Sequence, residues 1–283
     1  MNVLKALVFS NIWVAVVLAS LGWSSYILID VEPRWYVISC IFLGSYTLYN
    51  FHRLYKIDFI PIEQRGDRHT WMVGHASFIK ISMAIAVFFS MLLLPNYQAK
   101  DIVWLVPAGI ISVGYTIPFI PTHSHWWRLR DIPLLKPIII AFVVAYLTLC
   151  FPIFEHGTIG DVFLAKNMQL FIERFVFLAA VTIPFEMRDM QSDSYAGLKT
   201  LATYLGFNFA KRLAYATIIL WLVLWVIRAY SDFEFTSLLV GFLIFVLGVI
   251  AIFNLNAQRR ELFFIFSFEG LILVYSALII LFL

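Results

Sequence analysis

The chain has 283 residues, of which 62% are hydrophobic and 13% are charged, and its mean hydropathy is +0.90. Soluble globular domains are about 45–50% apolar and about 25% charged, so this composition predicts a multi-pass membrane protein embedded in the lipid bilayer. The formal net charge is only +3. Because that charge is small and the basic residues are spread over short loops, the composition excludes a nucleic-acid-binding protein.

Nine apolar stretches follow one another along the chain, each close to the roughly 20 residues that a membrane-spanning helix needs. They cover residues 4–29, 35–55, 75–94, 101–117, 133–154, 168–186, 210–230, 236–254 and 262–283. The segments between them contain prolines and charged residues, and none is long enough to form a separate soluble domain. The sequence therefore predicts an all-α bundle of nine transmembrane helices that forms a single domain over residues 1–283.

The distribution of positive charge predicts the orientation of these helices. If the N-terminus is inside, 15 of the 20 Lys and Arg residues fall in the inner loops. Cytoplasmic loops carry an excess of Lys and Arg, so this bias favours a cytoplasmic N-terminus and an odd number of spans. The polar loops after the second and sixth stretches then lie on the cytoplasmic side.

Three carboxylates, those of Glu186, Asp189 and Asp193, lie where the sixth apolar stretch ends. At about 100° per residue they fall at about 0°, 300° and 340° around a helix and share one face. Converging carboxylates repel one another unless a cation lies between them, and oxygen ligands without His or Cys suit Mg²⁺. Gly197 permits a sharp turn before the next helix. The pattern predicts a magnesium site, and the alternative is a solvated helix end with paired charges.

The loop after the second stretch, LYNFHRLYKIDFIPIEQRGDRHTW, is a second candidate for a functional site. On a helix, the spacing of Asn50 and Asp58 directs both side chains toward one cavity. The loop is rich in side chains that donate to anionic groups, namely Arg53, Lys56, Arg65, Arg68, His52 and His69. It predicts contacts with a phosphate group or, for the histidines, a proton relay, and the alternative is a set of interfacial polar residues.

Two other charged positions fall inside the predicted spans. Glu173 and Arg174 are adjacent, and we interpret them as an ion pair at the membrane interface. Glu269 lies within the last span, where an unpaired carboxylate is costly. The sequence does not identify a partner for Glu269.

These motifs resemble those of the UbiA superfamily of intramembrane prenyltransferases. The family pattern DxRDxxxDxxxGxxTLAxxLG is similar to the segment EMRDMQSDSYAGLKTLATYLG, in which Glu186 stands where the family usually has Asp. After its fourth helix the family commonly has a Tyr, a Pro and a basic stretch, and this chain has Tyr115, Pro118, Arg128, Arg130 and Lys136 there. The resemblance covers nearly the whole chain and implies a nine-helix bundle.

The first acidic motif of the family, NDxxDxxxD, is only partly kept. Its positions are occupied by Asn50, Phe51, Leu54 and Asp58, so two acids are replaced by apolar side chains. The resemblance implies Mg²⁺ bound by Glu186, Asp189, Asp193 and Asp58, and a catalytic role for Asp189, Asp193 and Asp58. It also implies that a diphosphate is bound by Asn50, Arg53, Lys56, Arg65, Arg68, Tyr115, Arg128, Arg130, Lys136, Arg188 and Lys199.

The activity that the resemblance implies is Mg²⁺-dependent transfer of a prenyl group from a prenyl diphosphate to a lipophilic acceptor, such as an aromatic quinone precursor. Tyr49, Tyr115 and Tyr195 are candidates for the cavity wall, since an aromatic face attracts a carbocation. The missing acids leave open a non-catalytic protein that binds a polyprenyl lipid or a quinone, and the many spans leave open a transporter. The implied location is a bacterial inner membrane, with the N-terminus and both acidic loops cytoplasmic.

Overall fold

The fold is taken from a computed structural model, which describes residues 3–57, 66–121, 126–195, 197–231, 235–256 and 258–283. The first half of the chain contains α1 (Val3–Phe9), α2 (Ile12–Leu28), α3 (Trp35–Ile57), α4 (Asp67–Gly74), α5 (Ala76–Leu93), α6 (Ala99–Thr116) and the paired strands β1 (Ile120–Pro121) and β2 (Trp126–Trp127). The second half contains α7 (Leu135–Ala145), α8 (Phe151–His156), α9 (Ile159–Val162), α10 (Ala165–Tyr195), α11 (Leu201–Leu205), α12 (Phe207–Ser231), α13 (Phe235–Phe253), α14 (Glu261–Phe264) and α15 (Gly270–Phe282). Two π-helical segments, Tyr146–Cys150 and Ile265–Glu269, join α7 to α8 and α14 to α15.

The number of membrane spans is confirmed only in part. In the described ranges, six helices are long and apolar enough to cross a membrane: Ala76–Asn96, Leu135–His156, Ala165–Tyr195, Phe207–Tyr230, Phe235–Phe253 and Glu261–Phe282. The helices α1 and α2 form a seventh span if this pair, bent by 69°, counts as one. The bend follows from Asn11, which has the left-handed backbone angle φ of 63° and interrupts the first predicted stretch. The predicted number of nine spans is not confirmed.

The long helix α10 lies at the centre of the bundle, where it packs against α7 and α12. The N-terminal helix α2 packs against both α3 and the C-terminal α15, so the two ends of the chain are neighbours. On α5, large apolar side chains such as Phe78, Ile81 and Phe88 are exposed on the outside of the protein. Apolar helices with exposed apolar faces are those of a multi-pass integral membrane protein.

Helix α10 is longer than its apolar stretch predicts. It has 31 residues and ends at Tyr195, whereas the hydropathy pattern ends at residue 186. At 1.5 Å per residue the helix is about 46 Å long, which exceeds the roughly 30 Å of the hydrocarbon core. The polar residues after position 186 are therefore part of α10, and Glu186, Asp189 and Asp193 lie on its last turns.

At the other end of α10, the predicted pairing of Glu173 with Arg174 at an interface is wrong. Both residues are 1% exposed, and the Glu173 Oε2 atom lies 2.8 Å from Nε of Arg228 on α12. Arg174 donates instead to the backbone carbonyl oxygens of Leu21 and Thr148, at 3.1 Å each. Adjacent residues project about 100° apart on a helix, so they meet different neighbours.

The buried pair of Glu173 and Arg228 generates a stability prediction. Removing one charge of a buried ion pair costs about 3–5 kcal/mol. We therefore expect Glu173→Gln to lower the free energy of unfolding by that order of magnitude, measured by denaturant titration in detergent micelles. The matched control is Glu32→Gln, because Glu32 is exposed. Equal stability of the two variants would contradict the buried pairing.

Candidate functional site

Three carboxylates of α10 converge on one ammonium group of α7. Lys136 Nζ lies 2.9 Å from Glu186 Oε1, 3.0 Å from Asp193 Oδ2 and 3.5 Å from Asp189 Oδ2. The three acids thus share one helical face, as their spacing predicts. We call Glu186, Asp189 and Asp193 the acidic cluster. Lys136 is the cation that lies close to all three of these carboxylates.

The backbone before α7 sets the position of Lys136. Leu134 has a positive φ of 64°, and its N–H donates to the carbonyl oxygen of Lys199 at 3.4 Å. A left-handed conformation costs a non-glycine residue about 1–2 kcal/mol, so the surrounding contacts must stabilise this turn. The link to Lys199 joins the start of α7 to the loop that follows α10. Lys136, two residues further on, is thereby placed beside the acidic cluster.

The loop after α10 follows directly from its sequence. Gly197 has a φ of 68°, a left-handed angle that glycine adopts without a steric penalty. The N–H of Leu198 donates to the Asp193 carbonyl oxygen at 2.9 Å, which closes the end of the helix. Thr200 then caps α11, since its side chain accepts a bond from the backbone N–H three residues later. The predicted turn at Gly197 is confirmed.

Burial makes the charge balance of the acidic cluster important. Glu186 and Asp193 are each 2% exposed, and Glu186 Oε2 has no hydrogen-bond partner within the described residues. Asp189 is half-buried, and Arg188 donates to both of its carboxylate oxygens, at 2.7 and 3.2 Å. Buried carboxylates need opposite charges and hydrogen bonds. Lys136 and Arg188 supply two positive charges to the three acids.

The three carboxylates, as placed, do not fit Mg²⁺ at their point of convergence. Mg²⁺ needs oxygen ligands at about 2.0–2.1 Å in near-octahedral geometry. The cluster instead has separations of 2.9–3.5 Å from a central nitrogen, which are those of ammonium–carboxylate contacts. No group of three or more His, Cys, Asp or Glu residues that could bind a metal occurs in the part of the chain that the structure describes. The predicted ligand Asp58 lies outside the described residues.

A second polar group connects α1–α2, α3, α4 and α14. Arg68 is 3% exposed; its Nη1 lies 3.1 Å from Glu261 Oε1 and its Nη2 donates to Asn11 Oδ1 at 2.5 Å. Asn11 also donates to Asn50 Oδ1 at 2.8 Å. Burial lowers the pKa of the Arg68 guanidinium, and the carboxylates of Glu261 and Glu269 partly oppose that effect. Asn50 and Arg68, both predicted to bind substrate, are thus hydrogen-bonded to protein groups.

Glu269 has its charged neighbours in this same region. Arg68, Arg188 and Arg53 all lie within electrostatic range of its carboxylate, as does Glu261. We call Arg53, Arg68 and Arg188 the arginine cluster. Arg188 belongs to both groups, because its guanidinium contacts Asp189 and also interacts with Glu261 and Glu269. The acidic and arginine clusters therefore form one continuous polar region.

Tyr115 lies next to the acidic cluster, at the end of α6. Its hydroxyl is within electrostatic range of Lys136, Arg130, Glu186 and Asp189. The ring of His52 packs edge-on against Tyr115 with centroids 5.6 Å apart. These two rings lie where the polar region meets α3 and α6, so two aromatic side chains border the charged groups.

The remaining predicted residues are distributed as follows. Arg128 forms an ion pair of 2.9 Å with Asp131, and Lys199 is exposed. Tyr195 is 69% exposed and lies away from the interior, so its predicted place in a cavity wall is wrong. Tyr49 is half-buried, within electrostatic range of Glu269 and Tyr115. Asp58, Arg65 and the side chain of Lys56 lie outside what the structure describes.

An apolar cleft lies next to α7. It has a volume of about 290 Å³ and lies between α6, α7 and α10. Its wall includes Ile111, Leu129, Leu135, Ile138, Phe142 and Phe175. Leu135 lines the cleft at the start of α7. Such a cleft suits a hydrocarbon chain.

The sequence analysis did not identify two residues of the polar region. Asn11 lies in the first apolar stretch and Glu261 at the start of the last one. A polar side chain inside a predicted span indicates a functional or structural contact, so Asn11 could have been identified from the sequence. Glu261 could not have been identified in this way, because it lies just before its predicted span, as an ordinary interfacial residue does.

Comparisons with known proteins identify the fold. No protein-family model and no curated protein match this sequence. A structure of a UbiA homologue from Archaeoglobus fulgidus bound to DMAPP and Mg²⁺ is similar, with a TM-score of 0.64 and 15% identity over 96% of this chain and 99% of that chain. The same homologue bound to GPP and Mg²⁺ has a TM-score of 0.63 and 14% identity over 95% of each chain. A structure of a digeranylgeranylglyceryl phosphate synthase has a TM-score of 0.56 and 14% identity over 98% of each chain. The chain therefore has the fold of the UbiA superfamily.

The turn at Gly197 generates a test with a matched control. A Cβ added at Gly197 or at Gly44 meets no atom within 4 Å, but only Gly197 has a positive φ, of 68°. We expect Gly197→Ala to destabilise the protein by about 1 kcal/mol, because alanine is strained there. Gly44→Ala, within α3, should stabilise it by about 0.5–1 kcal/mol, because alanine favours a helix. Thermal unfolding in detergent measures both, and shifts of the same sign would contradict the turn geometry.

Proposed function

We propose that this chain is a divergent member of the UbiA superfamily that transfers a prenyl group from a prenyl diphosphate to a lipophilic acceptor within the membrane. The fold supports the proposal, because structures of a UbiA homologue bound to GPP and to DMAPP resemble the chain over nearly its whole length. The polar region and the apolar cleft support it independently of the fold.

The observation that carries the proposal is the convergence of Lys136 and Arg188 on the acidic cluster, next to the arginine cluster. A prenyl diphosphate has a highly charged head and a hydrocarbon tail, and it needs a site of each kind side by side. The arginine cluster, with Lys136, supplies donors for the phosphate oxygens. The cleft beside Leu135 supplies an apolar wall for the tail.

The reaction begins when the allylic C–O bond breaks and its electron pair leaves with the diphosphate. Cationic side chains stabilise the leaving group as charge develops on it. The carbocation that remains is attacked by the acceptor, which then loses a proton. Tyr115 and His52 border the site and present aromatic faces, which attract a cation. The surrounding apolar helices exclude water, which would otherwise capture the carbocation.

The proposal includes the nine-span topology. Besides the seven candidates, α3 and α6 would complete the count, and they correspond to the predicted stretches 35–55 and 101–117. The excess of Lys and Arg in alternate loops supports a cytoplasmic N-terminus and a polar region on the cytoplasmic side of a bacterial inner membrane. The acceptor would enter from the bilayer.

The use of Mg²⁺ remains a prediction from the sequence. The solved homologue binds Mg²⁺ together with GPP or DMAPP. In this chain Lys136 lies among the three carboxylates that were expected to bind the metal. The steps above therefore rest on side chains of the protein alone.

A second candidate function is binding of a polyprenyl lipid or quinone without chemistry. Two observations favour it: Phe51 and Leu54 replace acids of the first motif, and Lys136 neutralises part of the second. The two functions differ in one product. A transferase releases inorganic diphosphate, whereas a binding protein returns its ligand unchanged.

We expect the purified protein in detergent to bind GPP, and Arg188→Gln to weaken that binding at least about tenfold. A charge-assisted hydrogen bond contributes about 1.5–3 kcal/mol, and 1.4 kcal/mol is a factor of ten in affinity. The matched control is Arg212→Gln, because Arg212 is exposed at the start of α12, outside the site. Isothermal titration measures all three affinities.

The same samples separate the candidate functions. Release of inorganic diphosphate after addition of membrane lipid extract would support transfer, and GPP binding without release would support a binding protein. No binding of GPP by the wild type would contradict transfer from a prenyl diphosphate. Equal loss of affinity in the Arg212→Gln control would contradict the proposed position of the diphosphate.

A further inference from the structure

The acidic cluster already has a cation of its own. Lys136 Nζ is within 3.5 Å of one oxygen from each of the three carboxylates. We infer that Lys136 takes the place of a divalent metal in the acidic cluster, so that the cluster is closed to Mg²⁺ and the protein binds the diphosphate with its own cations. The statement about the cluster stands alone, whereas the statement about the diphosphate rests on the proposed function.

The first argument is that the two cations exclude each other. A metal ion bound to the same three oxygens at about 2.1 Å would lie almost on top of the ammonium nitrogen. The Coulomb repulsion between a divalent ion and an ammonium group at such a distance is large, especially in a buried site. The metal can therefore enter only if Lys136 leaves.

The second argument is that Lys136 is held where it is. Its side chain is 13% exposed, and its backbone lies between Leu134, which is tied to Lys199, and Pro137, which is buried. Proline fixes its own φ, so the start of α7 has little freedom to shift. Withdrawal of the ammonium would also leave two carboxylates at 2% exposure without the ion-pair partner that they share. Such uncompensated burial of charge is strongly unfavourable.

The third argument comes from a different helix. Phe51 and Leu54 on α3 stand at two positions where the first motif of the UbiA pattern has acids, and neither can bind a metal. The Phe51 ring packs near the rings of His52 and Tyr55 at about 6 Å, as an ordinary aromatic side chain does. The chain thus lacks two carboxylates on α3 and has a lysine among the carboxylates on α10. Both changes reduce the need for a divalent ion.

The charge of the region is consistent with this inference. Lys136 and Arg188 offset two of the three negative charges of the acidic cluster. Of the arginine cluster, Arg53 and Arg68 then face Glu261 and Glu269, two positive charges against two negative ones. Because carboxylates repel a diphosphate, it would bind toward the arginine cluster, where guanidinium groups donate to its oxygens.

The test measures binding of Mn²⁺ to the purified protein in detergent, without any prenyl ligand, from the electron paramagnetic resonance signal of free Mn²⁺. We expect no saturable binding by the wild type below millimolar concentrations. Lys136→Met should create a Mn²⁺ site at least tenfold tighter, because the three carboxylates lose their resident cation. Lys166→Met is the matched control: Lys166 is exposed at the opposite end of α10, and its replacement should create no site.

Two outcomes would overturn the inference. One is tight Mn²⁺ binding by the wild type that disappears in Asp189→Asn/Asp193→Asn. The other is a folded Lys136→Met protein that gains no Mn²⁺ affinity. If Lys136→Met does not fold, Mn²⁺ binding by the wild type and by the double variant still tests whether the acidic cluster is closed to the metal. Lys136→Arg, which keeps the positive charge, should fold and bind no Mn²⁺.

A second measurement tests the statement about the diphosphate. The affinity of the wild type for GPP should change less than about twofold between EDTA and Mg²⁺. A gain of tenfold or more with Mg²⁺ would overturn metal-free binding. Failure to bind GPP under either condition would overturn the proposed function, whereas the Mn²⁺ titration would still decide the role of Lys136.

Discussion

The contact between Lys136 and three carboxylates of α10 is the interaction on which the rest of the site depends. Glu186 and Asp193 are almost completely buried, and two such charges at the end of one helix are tolerable only with a cation beside them. That requirement fixes the start of α7 against the end of α10. It also fixes the turn at Leu134 and the loop that follows Asp193, since both are joined by the bond from Leu134 to Lys199.

Helix α10 carries buried charge at both ends, and other helices supply the partners. At one end Glu173 pairs with Arg228 of α12, and Arg174 donates to carbonyl oxygens of α2 and of the π-helical segment after α7. At the other end the acidic cluster meets Lys136 of α7. These polar contacts specify how α10 packs against its neighbours, which apolar surfaces alone do less precisely in a membrane. The packing of α10 therefore determines the geometry of the polar region.

The sequence predicted the helices, the shared face of the three acids and the turn at Gly197, because each follows from local periodicity or from a single backbone preference. The apolar stretch ends at residue 186 whereas α10 ends at Tyr195, because hydropathy reports the thickness of the membrane and not the length of a helix. The sequence analysis paired Glu173 with Arg174, although neighbours in a helix project in different directions. The sequence also did not identify the residue that pairs with the acidic cluster. Lys136 is 50 residues before Glu186, and only the packing of α7 on α10 brings the two together.

The most direct test of this account is X-ray diffraction from crystals of the full chain soaked with Mn²⁺, collected with and without bound GPP at a wavelength where manganese scatters anomalously. The account predicts electron density for the Lys136 side chain among the three carboxylates and no anomalous peak there in either crystal. An anomalous peak coordinated by Glu186, Asp189 and Asp193, with the Lys136 side chain turned away, would contradict it.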